Sequence, residues 1–238
     1  MSLIKIRYEL ISPWRAVHNE SSKIPTGPPH PPVKIIEGDP SQIILPAYLA
    51  WDLQTATILL TEKALESSGD YTKGFEAPEV SVAFSTGAIL SAFTTLEAYV
   101  NDTITIHATH NRRRGPLKIF EKGLMEQSIL TRLESLFLIL DIDVDWSKEP
   151  YQSLRLLNVV RNALVHHEGG VNVSAAYGFF PKKALKDVVR KIRSPYTNDP
   201  LSPYHWHTHI LTPNGAVWAT NVMIEIISLI DTELDKTS

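Results

Sequence analysis

Residues 150–167, PYQSLRLLNVVRNALVHH, decide the fold because they combine a strong helical pattern with a cluster of polar side chains. At about 100° per residue, the apolar side chains of this segment fall on one stripe. The stripe consists of Leu156, Leu157, Val160, Ala163 and Leu164. Gly169 and Gly170 follow, and glycine is typical of the end of a helix. The segment is therefore predicted to be a helix that packs against other helices through this stripe.

The polar side chains of the same helix form a candidate site. Helical geometry places Arg155, Asn162 and His166 on one flank, Arg161 on the other and His167 on the apolar stripe. Asn162 and His166 are one turn apart and can share a ligand. A histidine in a last turn exchanges protons near neutral pH. An arginine beside it can stabilise negative charge on a phosphate during a reaction.

Helical spacing recurs along the rest of the chain. It predicts further helices at residues 41–68, 79–113, 128–140, 182–193 and 216–234. The clearest stripe belongs to the helix at 79–113 and consists of Ile89, Phe93, Leu96, Val100 and Ile104. That helix runs into Arg112, Arg113 and Arg114 before Gly115, and cations suit the last turn of a helix. The pattern indicates a helical bundle.

Three segments have the character of strands instead. Residues 3–11 alternate between apolar and charged side chains, which predicts a half-buried strand. Residues 171–180 and 204–211 are weaker candidates. We therefore expect a mainly α fold, a helical bundle with a small β appendage formed from the N-terminus and the segment 171–213.

The domain organisation follows from a change in composition near residue 40. Residues 24–40 carry six prolines and predict an extended connector. Residues 1–40 are thus an N-terminal strand and a proline-rich connector, and residues 41–238 are a helical domain with an insertion at about 171–215.

Composition excludes several classes of function. The chain has no cysteine, which removes disulfides, cysteine-ligated zinc and thiol nucleophiles. Its formal net charge of -3 means that contact with a nucleic acid depends on a local basic patch. No segment approaches 18 uninterrupted apolar residues and the first residues lack the pattern of a signal peptide, so we expect a cytoplasmic protein with no membrane partner.

The helix at 150–167 resembles the motif helix of HEPN domains, in which an arginine, commonly followed by a polar residue, precedes a histidine by four to six residues. Arg161, Asn162 and His166 match that pattern, and His167 also satisfies the spacing. The segment TLEAYVN at 95–101 is similar to another recurring segment of the family, and its Glu97 and Asn101 are one turn apart. The resemblance covers about residues 41–170 and 216–234, including the order of the helices.

The resemblance implies a HEPN-like up-and-down bundle and, in many members, a metal-independent ribonuclease that works as a dimer. It implies catalytic roles for Arg161, Asn162 and His166 and no cofactor. Supporting roles fall to Glu97, Asn101, Arg155 and His167. It also implies that RNA, a second copy of the chain, and an antitoxin or another protein are the candidate partners. Members that have lost activity are binding modules, so the alternative interpretation is a non-catalytic HEPN-like module that binds a protein or a nucleotide.

Simpler structural roles remain open for the same residues. Arg161 could form a surface ion pair with Glu97 or Glu168, and His166 could cap the helix. His167 on the apolar stripe is better explained as a core histidine. The run from Arg112 to Arg114 could bind the backbone of RNA, but a solvated helix end explains it at least as well.

A third interpretation is a metal-dependent enzyme that uses His205, His207 and His209. In a strand, alternate residues share a face, so the three imidazoles could converge on a metal ion. No acidic residues nearby complete such a site, and we expect this segment to be dispensable for activity.

Overall fold

A computed structural model describes residues 48–68, 79–110, 123–124, 126–165, 180–192 and 206–237. We number seven helices among these residues, and the described part of the chain contains no strand. The helices are α1 (Tyr48–Glu66), α2 (Glu79–His110), α3 (Ile129–Ile139), α4 (Tyr151–Val165), α5 (Lys182–Ile192), α6 (Trp206–Ile210) and α7 (Pro213–Thr237). The expected mainly α fold is confirmed for this part of the chain.

The β appendage finds no support in the described residues. The strand predicted at 204–211 is wrong, because Trp206–Ile210 is a helix. Trp206, His209 and Ile210 are buried, and their spacing of three and four residues is that of a helix rather than a strand. The strand predicted at 3–11 lies outside the described residues, as does the proline-rich connector. Of the strand predicted at 171–180 only Phe180 is described, and it is buried but belongs to no strand.

The core is built on the two stripes that the sequence predicts. On α2, all five stripe residues are at most 2% exposed: Ile89, Phe93, Leu96, Val100 and Ile104. On α4, Leu156, Leu157 and Val160 are buried, while Ala163 and Leu164 pack against the same core and are partly buried. Aliphatic side chains of α3, α5 and α7 complete this core. Burial of so much apolar surface is the main stabilising contribution in such a bundle.

A different interface joins α1 to α2 and α7. The side of α1 that faces these helices carries Ala50, Gln54, Thr57, Thr61 and Ala64, all buried. Small side chains at this spacing let two helix backbones approach closely. By contrast, the leucine side of α1 points outward, with Leu49 63% and Leu59 47% exposed. We call the inward side, together with its hydroxyl contacts on α2 and α7, the hydroxyl seam.

The ends of the helices show why the chain turns where it does. Ser128 caps α3, since its hydroxyl accepts a hydrogen bond from the backbone N–H of Thr131. Asp141 ends the helix in the left-handed region, at φ 56°. The N–H of Ile142 donates to the carbonyl of Phe137, which completes a Schellman turn.

The corner between α6 and α7 is equally well defined. The Thr212 hydroxyl accepts a hydrogen bond from the N–H of Gly215, and Pro213 occupies the first position of α7, where its missing N–H costs nothing. A Cβ atom at residue 215 would lie 2.0 Å from the carbonyl oxygen of Ile210. A side chain at 215 therefore cannot enter without moving the backbone.

Two of the described helices are long and apolar enough to cross a membrane by length and composition, over residues 79–105 and 213–234. Within the protein, 44% and 67% of these windows are buried. Core helices of soluble proteins have the same composition.

Candidate functional site

The candidate site lies at the C-terminal end of α4, where Arg161 and Asn162 reach the surface. Asn162 is exposed, and Arg161 is partly exposed. The Nη1 of Arg161 donates a hydrogen bond to Oδ1 of Asn162, with 3.2 Å between the two atoms. The sequence placed the two residues on opposite flanks of the helix, but the long arginine side chain bridges the distance between them.

Arg161 is also held from the side of α2. Its Cζ lies 5.5 Å from the centroid of the Phe93 ring, within the range of a cation–π contact. Phe93 itself is buried in the core. The guanidinium of α4 is therefore positioned on a rigid ring, which is a favourable arrangement for a group that must bind an anion in a fixed place.

Glu97 and Asn101 follow Phe93 at successive turns of α2, and both bind Arg132 on α3. Nη2 of Arg132 lies 2.6 Å from Oε1 of Glu97, and Nη1 donates to Oδ1 of Asn101. The Arg132 side chain is 8% exposed, whereas that of Glu97 is 34% exposed. We call these three residues the Arg132 cluster.

The Arg132 cluster changes the meaning of two predicted residues. Glu97 and Asn101 lie together, as their spacing predicts, but the group that both bind is Arg132, for which the sequence pattern predicted no role. A signal was present: Ile129, Arg132, Leu133 and Leu136 have the spacing of one helical stripe, and all four are buried. A cation on such a stripe requires an acidic partner, because burying an unpaired charge is costly.

Arg155 lies on the surface two turns before Asn162 on α4. Its Cζ is 5.6 Å from the centroid of the Trp146 ring, so a tryptophan of the loop before α4 orients it. Arg155 and Arg161 are each placed over an aromatic ring, but only Arg161 is in contact with Asn162. The structure therefore brings together Arg161 and Asn162, two of the three predicted catalytic residues. Arg155, which was predicted to have a supporting role, has no contact with either of them among the described interactions.

His166 and His167 lie outside the described residues, directly after the last residue of α4. The described helix ends at Val165, which is 49% exposed. The roles predicted for the two histidines stay predictions, and so does the role predicted for the arginine run at 112–114.

The histidine segment does not have the geometry of the strand-based metal site. His207 and His209 lie on helix α6, where residues two apart point in nearly opposite directions. His209 is 1% exposed and His207 is partly buried, while His205 lies outside the described residues. Among the residues that the structure describes, no group of three side chains is arranged to hold a metal ion.

One further carboxylate on α2 has an unusual environment. Burial raises the pKa of Asp102, which follows Asn101 on α2. Its Oδ2 is shielded from solvent and has no hydrogen-bond partner among the described residues. Periodicity did not single out this residue, because an aspartate near the end of a long helix looks like an ordinary surface residue.

Comparison with known proteins adds no relative: no protein family, curated protein or solved structure matches this chain.

Proposed function

We propose that the protein is a HEPN-like, metal-independent endoribonuclease that cleaves single-stranded RNA as a homodimer, as a toxin or defence protein does. The observation that supports this most is the pair of Arg161 and Asn162 at the surface end of α4, one turn before His166. The ring of Phe93 fixes the arginine at that place. The candidate partners beyond RNA are an antitoxin or another protein.

The chemistry needs little from the protein, because RNA carries its own nucleophile. The 2′-hydroxyl attacks the adjacent phosphorus and the bond to the 5′-oxygen of the next nucleotide breaks, which leaves a 2′,3′-cyclic phosphate. The enzyme must align these atoms, move a proton from the 2′-hydroxyl to the leaving oxygen and stabilise charge on the phosphate. His166 moves the proton near neutral pH, and the planar donor fork of Arg161 binds the phosphate oxygens.

The dimer is part of the same proposal. Arg155 and Asn162 are exposed on one flank of α4, and Val165 continues that flank with an apolar side chain that is 49% exposed. A surface of this mixed character is suited to a second copy of the chain. Two copies related by a two-fold axis would place two Arg161 side chains in one shared cleft.

The test compares purified wild-type protein with Arg161→Ala and His166→Ala on a single-stranded RNA in the presence of EDTA. We expect wild-type cleavage with a 2′,3′-cyclic phosphate end, and a loss of at least about 100-fold for each variant. A substrate with 2′-deoxy nucleotides at the cut should stay intact. Light scattering on the same samples should give the mass of a dimer.

Two control variants separate the site from its surroundings. Lys148→Ala removes an exposed cation that is paired with Asp145, and it should cleave like the wild type. His207→Ala tests the metal-enzyme reading and should also retain activity in EDTA. If the wild type cuts no RNA, or if His166→Ala cuts as well as the wild type, the chain is better described by the alternative reading, a non-catalytic HEPN-like binding module.

A further inference from the structure

Helix α5 has one face in the core and cations across the other. Leu185, Val188, Val189 and Ile192 are buried at 0 to 8% exposure. The exposed positions of the helix are all cationic: Lys182, Lys183, Lys186 and Arg190. We call these four residues the α5 cationic face.

The α5 cationic face is fixed relative to the motif helix. Helix α5 packs against α4, and Nζ of Lys191 lies 2.8 Å from Oε1 of Gln152. Lys191 also binds Glu149, just before α4. Arg161 lies nine residues beyond Gln152, about 14 Å along the same helix. The cationic face and the candidate site thus lie on two helices that pack against each other.

The concentration of charge on α5 is unusual for this chain. The helix carries five cations and one acid, Asp187, which gives a net charge of +4, whereas the whole chain has a net charge of -3. Among the described residues outside α5, the exposed lysines Lys63 and Lys148 are paired with Glu66 and Asp145. Within the described part of the protein, no ion pair involves Lys182, Lys183 or Lys186.

We propose that the α5 cationic face binds the phosphate backbone of single-stranded RNA and delivers it to the candidate site on α4. Lys182, Lys186 and Arg190 follow one another at intervals of four residues, or about 6 Å along the helix axis per step, in a row that turns gradually around α5. A row of this length contacts several consecutive phosphates without reading bases, which is how positioning contacts to a nucleic acid work. The choice of RNA as the polyanion rests on the proposed function.

Other occupants fit the face less well. A helix that lies on a lipid surface inserts its apolar side, but the apolar side of α5 is already used by the core. A stable protein interface needs apolar or aromatic side chains at its centre, and the exposed positions of α5 offer none. A surface that binds by charge alone, along a line, is matched to a flexible phosphate backbone.

The experiment measures binding of a fluorescein-labelled, 2′-O-methylated single-stranded RNA by anisotropy between about 50 and 200 mM NaCl. This probe resists cleavage and so reports binding alone. Each lost phosphate contact lowers the slope of log affinity against log salt by about 0.7. We expect Lys182→Gln with Lys186→Gln to lower the slope by about 1.4 and to weaken binding on the order of tenfold.

The matched control is Lys63→Gln with Lys148→Gln, which removes the same charge from two exposed lysines outside α5. It should bind like the wild type. An equal loss in both double variants would overturn the proposal, because net charge alone would then explain the effect. Unchanged binding in the α5 variant would also overturn it. The same holds if the wild type and the variants bind phosphatidylserine vesicles but do not bind the RNA probe.

The outcome is separable from that of the proposed function. If the α5 double variant binds the probe more weakly than the wild type and none of the proteins cleaves RNA, the cationic-face proposal stands and the ribonuclease proposal fails. If cleavage is lost in Arg161→Ala but the α5 double variant cleaves and binds like the wild type, the cationic face fails alone. Circular dichroism melts should show that the substitutions on this exposed face leave the fold intact.

Discussion

The two sides of helix α2 are built from different kinds of contact. One side packs on α1 through the hydroxyl seam, where Thr57 Oγ1 lies 2.8 Å from Ser91 Oγ. The other side buries large apolar residues such as Phe93 and Leu96 and ends in the Arg132 cluster. The hydroxyl seam holds two helices close together by fitting small groups, whereas the opposite side combines apolar burial with one ion pair. We therefore expect that removal of a side chain lowers the free energy of unfolding most on the side of α2 that carries the candidate site.

The largest expected effect on stability comes from removing Glu97, the acidic member of the Arg132 cluster. Glu97→Ala leaves the guanidinium of Arg132 buried with only Asn101 as a partner, and we expect a loss of about 3 kcal/mol in the free energy of unfolding. Arg132→Met should cost less, about 1 kcal/mol, because methionine fills the apolar site and the carboxylate left behind is a third exposed. Urea denaturation of both variants measures the difference, and an equal or reversed order would contradict this account.

An intermediate effect is expected at the hydroxyl seam. Thr61 Oγ1 and Thr220 Oγ1 are 2.8 Å apart, and both residues are fully buried. Thr61→Val leaves the Thr220 hydroxyl without this partner and should cost about 1 to 2 kcal/mol. The double variant Thr61→Val with Thr220→Val should recover most of that loss, since no buried hydroxyl is then left unpaired. A double variant that is as unstable as the sum of the singles would rule out this pairing.

The smallest effect is expected at Asp102. This residue follows Thr95 by seven positions and so lies on the side of α2 that packs on α1, where Thr95 Oγ1 is 3.3 Å from Thr57 Oγ1. Burial raises the pKa of this carboxyl above its ordinary value of 3.8. A raised pKa means that the folded state holds the proton more tightly, so stability falls as the pH rises through the window above 3.8, and the whole penalty applies at neutral pH. Asp102→Asn should therefore raise the thermal midpoint at pH 7, and this gain should shrink toward pH 4. A gain that does not depend on pH would point to another cause.

Periodicity in the sequence was sufficient for the helices that carry large apolar stripes. The bounds of α2, α3, α4 and α5 agree with the predictions to within about three residues, because each stripe faces one common core. Helix α7 begins at Pro213, three residues earlier than predicted, since Thr212 serves as its cap. Apolar periodicity thus predicts the position and the buried face of a helix well when the helix packs on a shared apolar core.

Three features could not be read in this way. The inward side of α1 consists of threonines and alanines, so its leucines gave no indication of the packed face. Helix α6 is five residues long, and its histidines alternate with other residues in a manner that also fits a strand. Arg132 meets Glu97 across 35 positions of sequence, and a pairing of that range depends on the fold. Arg161 and Asn162 lie near the end of a helix, as their sequence position predicts, and their catalytic role stays a prediction.

The corner at Gly215 has a consequence for how this chain can vary. Only a hydrogen atom fits where a Cβ would lie 2.0 Å from the carbonyl of Ile210. In a library with every amino acid at this position, selection for folded protein should therefore retain glycine almost alone. Position 215 should therefore stay glycine in any folded variant of this protein, because the turn between α6 and α7 leaves no space for a side chain there.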